Sequence, residues 1–366
     1  MTLFSLIPLT AQDDVFTDDL TGTQYMVERY VPANFPVGMV FLPDGRLLYN
    51  EKTTGNVRLV NADGTSQLDP VLNLNTDALQ ERGMLGITID PDFENNNLVY
   101  VVHTAIGTAR DWPANRLVRF ELLEDGTGSD PEELIRVPID NGFLLHNGGN
   151  VHFDDAGYLY ITFGDYGDAA NAQDVSTPQG AIHRFIVTAD GLEIPDDNPI
   201  APDNSIYAYG FRNLFDFTFD PEFGHIFGAE VGPSCDDEIN LVLPGFNYGW
   251  NENYECSGTD FIAGLEGIYA PPLLSFNPVE APTGILVYDG DAFPEWQGNL
   301  LLCNWNFGNL RRIVLNDNHT RVEEVHEIDL GNTQCRLDLT TDAAGNIYFG
   351  TVGDGDGSIM RLVPAE

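Results

Sequence analysis

The chain has 366 residues, 43% of them hydrophobic, enough to bury a large core. It carries 57 Asp and Glu against 16 Lys and Arg, a formal net charge of −41, and only one of those cations, Lys52, is a lysine. Such a surface repels phosphate backbones and anionic lipid, which argues against nucleic-acid and membrane-surface partners. The acid-rich, lysine-poor balance suits a high-salt habitat, where charge repulsion is screened.

The opening MTLFSLIPLTAQDD places a short apolar run before acidic residues. It reads as the tail of a secretory signal without its basic start, or as a mobile apolar terminus. Residues 1–24 are therefore set apart as an N-terminal segment, and 25–366 are expected to form one domain. No later apolar run approaches the length of a membrane span, so no membrane insertion is expected. From Gly38 onward one unit recurs: an alternating apolar strand, Asp with Gly, a second strand, then a third ending near Arg. Copies begin at Gly38 (GMVFLPDGRLLYN), Leu85 (LGITIDPDF), Asn150 (NVHFDDAGYLYITFGD), Phe215 (FDFTFDPEFGHIFGAEVG), Gly284 and Arg336 (RLDLTTDAAGNIYFGT). Period-two alternation broken by Asp-Gly turns predicts antiparallel β-meanders. Helical periodicity is nearly missing, with one turn allowed at Asp77–Arg82. Six copies stacked in a ring give an all-β fold, a six-bladed β-propeller of four-stranded antiparallel blades, with ligand chemistry on the loops at one end. A large β-sandwich does not explain six copies. Long insertions near 165–210 and 232–283 are expected to build the rim of the site.

In LLHNGGNVHF, His146 sits between an apolar pair and a glycine pair. By itself it reads as a turn histidine. Asp165, in YITFGDYGD, ends the next strand of the same unit, and in a strand turn-back the two positions lie at one end of the sheet. They can meet as a base oriented by a carboxylate, which proton abstraction needs. His152, on the alternating strand, is expected to be a packing or surface histidine. Arg212 and Asn213 in YAYGFRNLFDF follow aromatic residues. The arginine suits an anionic cofactor or a developing oxyanion, with a structural ion pair as its other reading. In GAEVGPSCDDEIN, Gly232-Pro233 exposes backbone carbonyls, and Asp236, Asp237 and Glu238 stand just beyond. Hard oxygen ligands suit Ca²⁺ rather than zinc or copper, although a solvated acidic turn reads equally well. GDGDG at 353–357 lacks the glutamate of a calcium loop and reads as a turn. Cys235, Cys256, Cys303 and Cys335 include no C-x-x-C pair, so two disulfides in an exported protein are expected; of three connectivities, 235–256 with 303–335 is favoured. No Gly-x-Gly-x-x-Gly opens a helix, which disfavours nicotinamide binding.

Taken together, ERGMLGITIDPDF (81–93), HNGG…GYLYITFGDYGDAANAQD (146–174), YGFRN…FDP (209–221) and EVGPSCDDEIN…GFNYGW (230–250) are specific. In their order, and over roughly residues 35–363, they resemble the soluble glucose/sorbosone dehydrogenase family, pyrroloquinoline quinone (PQQ) dependent aldose dehydrogenases on six-bladed propellers. The resemblance implies PQQ and Ca²⁺ as cofactors, a sugar substrate, an external electron acceptor, and a periplasmic or extracellular location. It makes His146 the catalytic base, Asp165 its partner, and Arg212 and Asn213 residues at the quinone edge. Glu81 stands where the glucose dehydrogenases use glutamine, and Arg336 where the family supplies arginine to a PQQ carboxylate. The carbonyls of Gly232 and Pro233 match ligands of the Ca²⁺ on PQQ, and Asp237 matches an acidic residue near a second calcium. The implied reaction removes the anomeric hydroxyl proton through His146 as hydride passes to the quinone, with Ca²⁺ and Arg212 polarising its oxygen, and yields a lactone. One departure matters: the family's quinone-binding lysine falls near Asn306, and no lysine stands in that stretch; Arg311 and Arg312 there read as structural. That departure leaves room for a non-catalytic propeller of the same family binding a protein or glycan partner, as hedgehog-interacting proteins do. A calcium-dependent lactonase-type hydrolase is a third reading, but its side-chain ligand set is not evident.

Overall fold

The structure of the protein, a computed structural model, describes residues 14–140, 142–256, 267–353 and 357–365. The alternating stretches form six sheets. In chain order their innermost strands are Pro36–Phe41, Met84–Ile89, Val151–Phe153, Leu214–Phe219, Pro282–Val287 and Leu339–Thr341. Each is followed by antiparallel neighbours stepping outward, and an outer strand such as Val322–Ile328 is largely exposed. The innermost strands touch in sequence, and the last touches the first.

Hydrogen bonds stitch every junction of this ring. Asn50 donates to the carbonyls of Leu85 and Gly86 (both 3.0 Å), and Gly86 N–H donates to Gly149 O (2.9 Å). Asn150 donates to Asp216, whose other oxygen accepts Ile285 N–H (3.0 Å). Gly284 N–H donates to Leu337 O (3.1 Å), and Asp338 accepts Met39 N–H (2.6 Å). Gly284 is needed at its junction, because a Cβ there would lie 2.6 Å from Leu337 O. Between the stitches, apolar faces of neighbouring sheets pack as separate clusters, for example Leu48, Val57 and Leu59 against Met84, Ile87 and Val101. No single sheet buries both its faces, and closing the ring does so for all of them.

The architecture is thus all-β, a propeller-like arrangement of small, mainly antiparallel sheets, and four of the six are four-stranded as expected. Two are not. The third sheet continues past Ile206–Tyr209 into the short parallel strands Phe246–Asn247 and Ile268–Tyr269, drawn from the long insertion. The last sheet has five strands, because Gln24–Pro32 pairs with Ser358–Pro364 and Val15–Thr17 pairs with Gln24–Met26. The boundary expected at residue 25 therefore moves upstream. Asp18, also within the expected N-terminal segment, is buried and accepts from Trp296 Nε1 (2.8 Å) while pairing with Arg312 (2.8 Å). The one-turn helix expected at Asp77–Arg82 is a turn, with Gln80 in the left-handed region (φ 55°) and Arg82 clasping Asp77 (2.8 Å). The single α-helical turn among the described residues is Phe93–Asn96. In the 353–357 stretch, residues 354–356 lie outside the described residues. Among the described residues, no helix is long and apolar enough to cross a membrane.

Candidate active site

The inner strands all start at the same end of the ring, and the predicted residues gather there. His146 precedes an inner strand in a tight approach with φ 55°, followed by Gly148 and Gly149, also at positive φ. Its buried ring points Nδ1 at Asp165 Oδ1 (2.6 Å), so the base and carboxylate meet as their placement predicts. Further hydrogen bonds fix Asp165. Trp250 Nε1 donates to its Oδ2 (2.7 Å), Gly167 N–H donates to Oδ1 (2.7 Å), and its own N–H donates to Arg212 O (2.8 Å). A carboxylate only accepts, so Nδ1 carries the ring hydrogen and Nε2 is left with the lone pair. Gly164 makes the closeness possible, since a Cβ there would sit 2.1 Å from His146 O.

Glu81 and Asn213 complete this cluster. Glu81 Oε2 accepts His146 N–H (2.6 Å) and an amide hydrogen of Asn213 (3.4 Å), and Asn213 Oδ1 accepts Gly148 N–H (2.9 Å). Both side chains line a central cavity at the mouth of the ring. Its walls are mainly apolar: Phe35, Val37, Leu85, Phe215, Val231, Trp305 and Leu337. The Phe35 and Trp305 rings stack with centroids 5.8 Å apart. Arg336 lies over the Trp305 ring (5.7 Å) and donates to Gln334 (2.8 Å) and to Trp305 O.

A smaller cavity adjoins, lined among others by Arg212, Glu230, Gly232, Pro233, Asp236, Glu238, Trp250 and Tyr254. Arg212 makes no ion pair among the described residues; it donates to Val231 O (2.8 Å) and lies 5.7 Å from the Trp250 ring. Glu230 Oε1 accepts the backbone N–H groups of Arg212 (2.6 Å) and Asn213 (3.1 Å), whereas its buried Oε2 has no partner. Burial, reinforced by Glu238, pushes the Glu230 carboxyl well above its ordinary range. An unsatisfied buried carboxylate oxygen is a place that a cation satisfies.

Asp237 sits apart from both cavities. Strand alternation turns it inward, where Oδ1 accepts Gly232 N–H (2.8 Å) and Oδ2 accepts Ala281 N–H (2.6 Å). Its carboxylate closes the loop, and Asp236 and Glu238 face the smaller cavity instead. The disulfides are Cys235–Cys256 and Cys303–Cys335, the favoured pairing. Asp236 lies near Cys235 and Cys256, but those sulfurs are bonded to each other and offer no thiolate.

Three participants escaped the sequence. Lys52 lines the central cavity and donates to the carbonyls of Gln80 (2.6 Å) and Arg82 (2.8 Å). Glu230 holds Arg212 from the neighbouring strand of the same sheet, and Trp250 holds Asp165 from a distant segment. Being the only lysine was the one signal for Lys52; Glu230 and Trp250 stand at the two ends of the 230–250 motif, with no role read for either. Asn306, where the family's lysine falls, spends its amide on Val279 O (3.0 Å). His152 lies towards the opposite end, 3.2 Å from Asp216 and packed on Phe217, as a packing histidine should be. Arg311 pairs with Glu280 and Glu327, and Arg312 with Asp18, both structural as expected.

Residues 33–361 match the Glucose / Sorbosone dehydrogenase family. The chain is 28% identical to the aldose sugar dehydrogenase YliI of Escherichia coli over 347 residues, 90% of each protein. It is 25% identical to the quinoprotein glucose dehydrogenase B of Acinetobacter calcoaceticus, covering 90% of this chain and 87% of that one. Its fold matches the PQQ-bound aldose sugar dehydrogenase of Streptomyces coelicolor with a TM-score of 0.76, at 26% identity over 93% of this chain and 98% of the other.

Proposed function

The chain belongs to the glucose/sorbosone dehydrogenase family of sugar oxidoreductases, and we propose that it is a PQQ- and Ca²⁺-dependent aldose dehydrogenase converting an aldose to its lactone. The six sheets serve as the blades of one six-bladed propeller domain. The observation that carries the reading is His146 held by Asp165 near a flat-walled cavity that Lys52 lines, with Arg336 over its Trp305 wall and Arg212 in the adjoining cavity, in a chain of net charge −41.

PQQ is a planar tricarboxylate, and the residues present fit it: the Phe35 and Trp305 rings offer a flat wall, with Arg336 at its edge. Ca²⁺ fits the smaller cavity, which Gly232 and Pro233 line together with Glu230, whose Oε2 is orphaned. When bound, PQQ supplies the two-electron acceptor and Ca²⁺ the Lewis acid. The chain's own residues do the rest. His146 takes the anomeric hydroxyl proton at Nε2, and Asp165 keeps the ring in the required tautomer and stabilises the imidazolium. Arg212, free of a carboxylate partner, places positive charge where negative charge develops on oxygen. Glu81 and Asn213 hold the His146 backbone at the cavity edge. Asp237 keeps the Gly232-Pro233 loop closed, so its metal role is indirect. The electrons leave to an external acceptor, and the disulfides suit a periplasmic or extracellular location.

The test is to titrate the protein with PQQ, with and without Ca²⁺, and then add mixed aldoses. Ca²⁺-dependent binding followed by sugar-dependent bleaching of the quinone absorbance supports the reading. No binding at micromolar PQQ refutes it and favours the non-catalytic propeller with a protein or glycan partner.

A further inference from the structure

Lys52 is the only lysine of the chain, and it is buried in the wall of the central cavity. Glu81 and Asp77 act on its charge only from beyond ion-pair distance. The ammonium makes no ion pair among the described residues. Two of its three hydrogens go to the carbonyls of Gln80 (2.6 Å) and Arg82 (2.8 Å), and the Phe35 ring lies 5.3 Å from Nζ. Carbonyl dipoles and a ring face hold a cation in place without neutralising it. The position is rigid as well: Lys52 N–H donates to Phe35 O (3.0 Å), Lys52 O accepts Met84 N–H (3.0 Å), and a Cβ on Gly83 would lie 2.5 Å from Lys52 O. An ammonium fixed in a mainly apolar wall, with one hydrogen unspent, is preorganised for an anion entering the cavity. Phe35, the ring beneath it, also stacks on Trp305 and so belongs to the flat wall.

We infer that Lys52 binds a carboxylate of the PQQ-type cofactor, bringing from the first sheet the cation that Asn306 does not supply. The inference rests on the proposed function. It assigns Lys52 to cofactor affinity, not to proton transfer.

The full chain, with Ca²⁺ present, is titrated with PQQ at low and high salt, following quenching of tryptophan fluorescence, for wild type, Lys52→Gln and Lys52→Arg. Glutamine can still donate to the Gln80 and Arg82 carbonyls but has no charge. The expected result is a loss of about ten- to a hundredfold in affinity for Lys52→Gln with a shallower salt dependence, and near-wild-type binding for Lys52→Arg. Unchanged affinity in Lys52→Gln overturns the inference. So does an equal loss in both variants with the salt dependence intact, which marks Lys52 as a strut for the 80–82 turn. A measurement on the wild type alone guards against misfolded variants: with no other lysine present, acetylation of Lys52 read by mass spectrometry should be slowed by bound PQQ, and equal labelling with and without PQQ overturns the assignment. Failure of the wild type to bind PQQ at all refutes the parent reading, an outcome distinct from each of these.

Discussion

The two ends of the ring are built from different backbone chemistry. At the end away from the cavities, turns close on an aspartate and a glycine. Asp44 with Gly45, Asp63 with Gly64, Asp154 with Gly157 and Asp342 with Gly345 repeat one device, the glycine taking positive φ and the aspartate accepting nearby N–H groups. At the cavity end, positive φ also falls on Phe35, Gln80, His146, Tyr166, Asp236 and Ala281, against Asn97 and His319 at the other end. Such positions cost about 1–3 kcal/mol each and persist only where surrounding contacts over-determine them. One end of the molecule is made of local, inexpensive turns. The other stores strain where side chains must converge.

The sharpest way to break that comparison is His146→Ala. Turnover should fall by about 10²–10⁴-fold while PQQ affinity stays within a few-fold, measured by steady-state rates and the binding titration. Unchanged turnover removes His146 from the chemistry. Next in size, Gly164→Ala forces a methyl group towards His146 O and Arg212 O, which would lie 2.1 and 3.0 Å from it. A loss of about 1–3 kcal/mol in denaturant unfolding is expected, together with impaired turnover. The matching change at the other end, Gly157→Ala, meets nothing within 4 Å and strains only its own φ of 83°. It should cost about 1 kcal/mol and leave turnover intact; a comparable loss of activity would abolish the distinction between the ends.

Between the ends, His183 tests the body of the ring. It is fully enclosed, with Nε2 facing Pro178 O (2.8 Å) and Nδ1 facing Ser205 Oγ (2.9 Å), and burial lowers its pKa from 6.5 to about 4. Between those values the unfolded chain holds the extra proton. Its contribution is therefore complete above pH 6.5 and declines as pH falls towards 4, by about 1.4 kcal/mol per pH unit. His103, also lowered to about 4 by burial, acts in the same direction. Carboxylates dominate the total pH profile of so acidic a chain, so the measurement is the difference between wild type and His183→Gln. That difference should change with pH across the window, and a constant one would show that His183 does not titrate as its burial requires.

The contrast also explains what could be read from the chain alone. Strands and Asp-Gly turns are local patterns, so the repeating sheets were legible. So was the His146–Asp165 meeting, because one strand turn-back connects them. The strand Val15–Thr17 was obscured by the signal-like residues before it, and Phe246–Asn247 and Ile268–Tyr269 are two-residue strands too short to show alternation. Lys52 and Trp250 reach the site from other segments of the ring, and such proximity leaves no trace in spacing. An acidic run reveals its charge but not which member strand alternation turns inward, here Asp237.

Both disulfides stand at the cavity end. Cys235–Cys256 lies beside Gly232 and Pro233, and Cys303–Cys335 ties the strand leading to Trp305 to the residue before Arg336. The other junctions of the ring carry no disulfide among the described residues, whereas Cys303–Cys335 reinforces the one between the fifth and last sheets. Oxidation therefore clasps two walls of the cavity end, which a reducing compartment leaves unclasped.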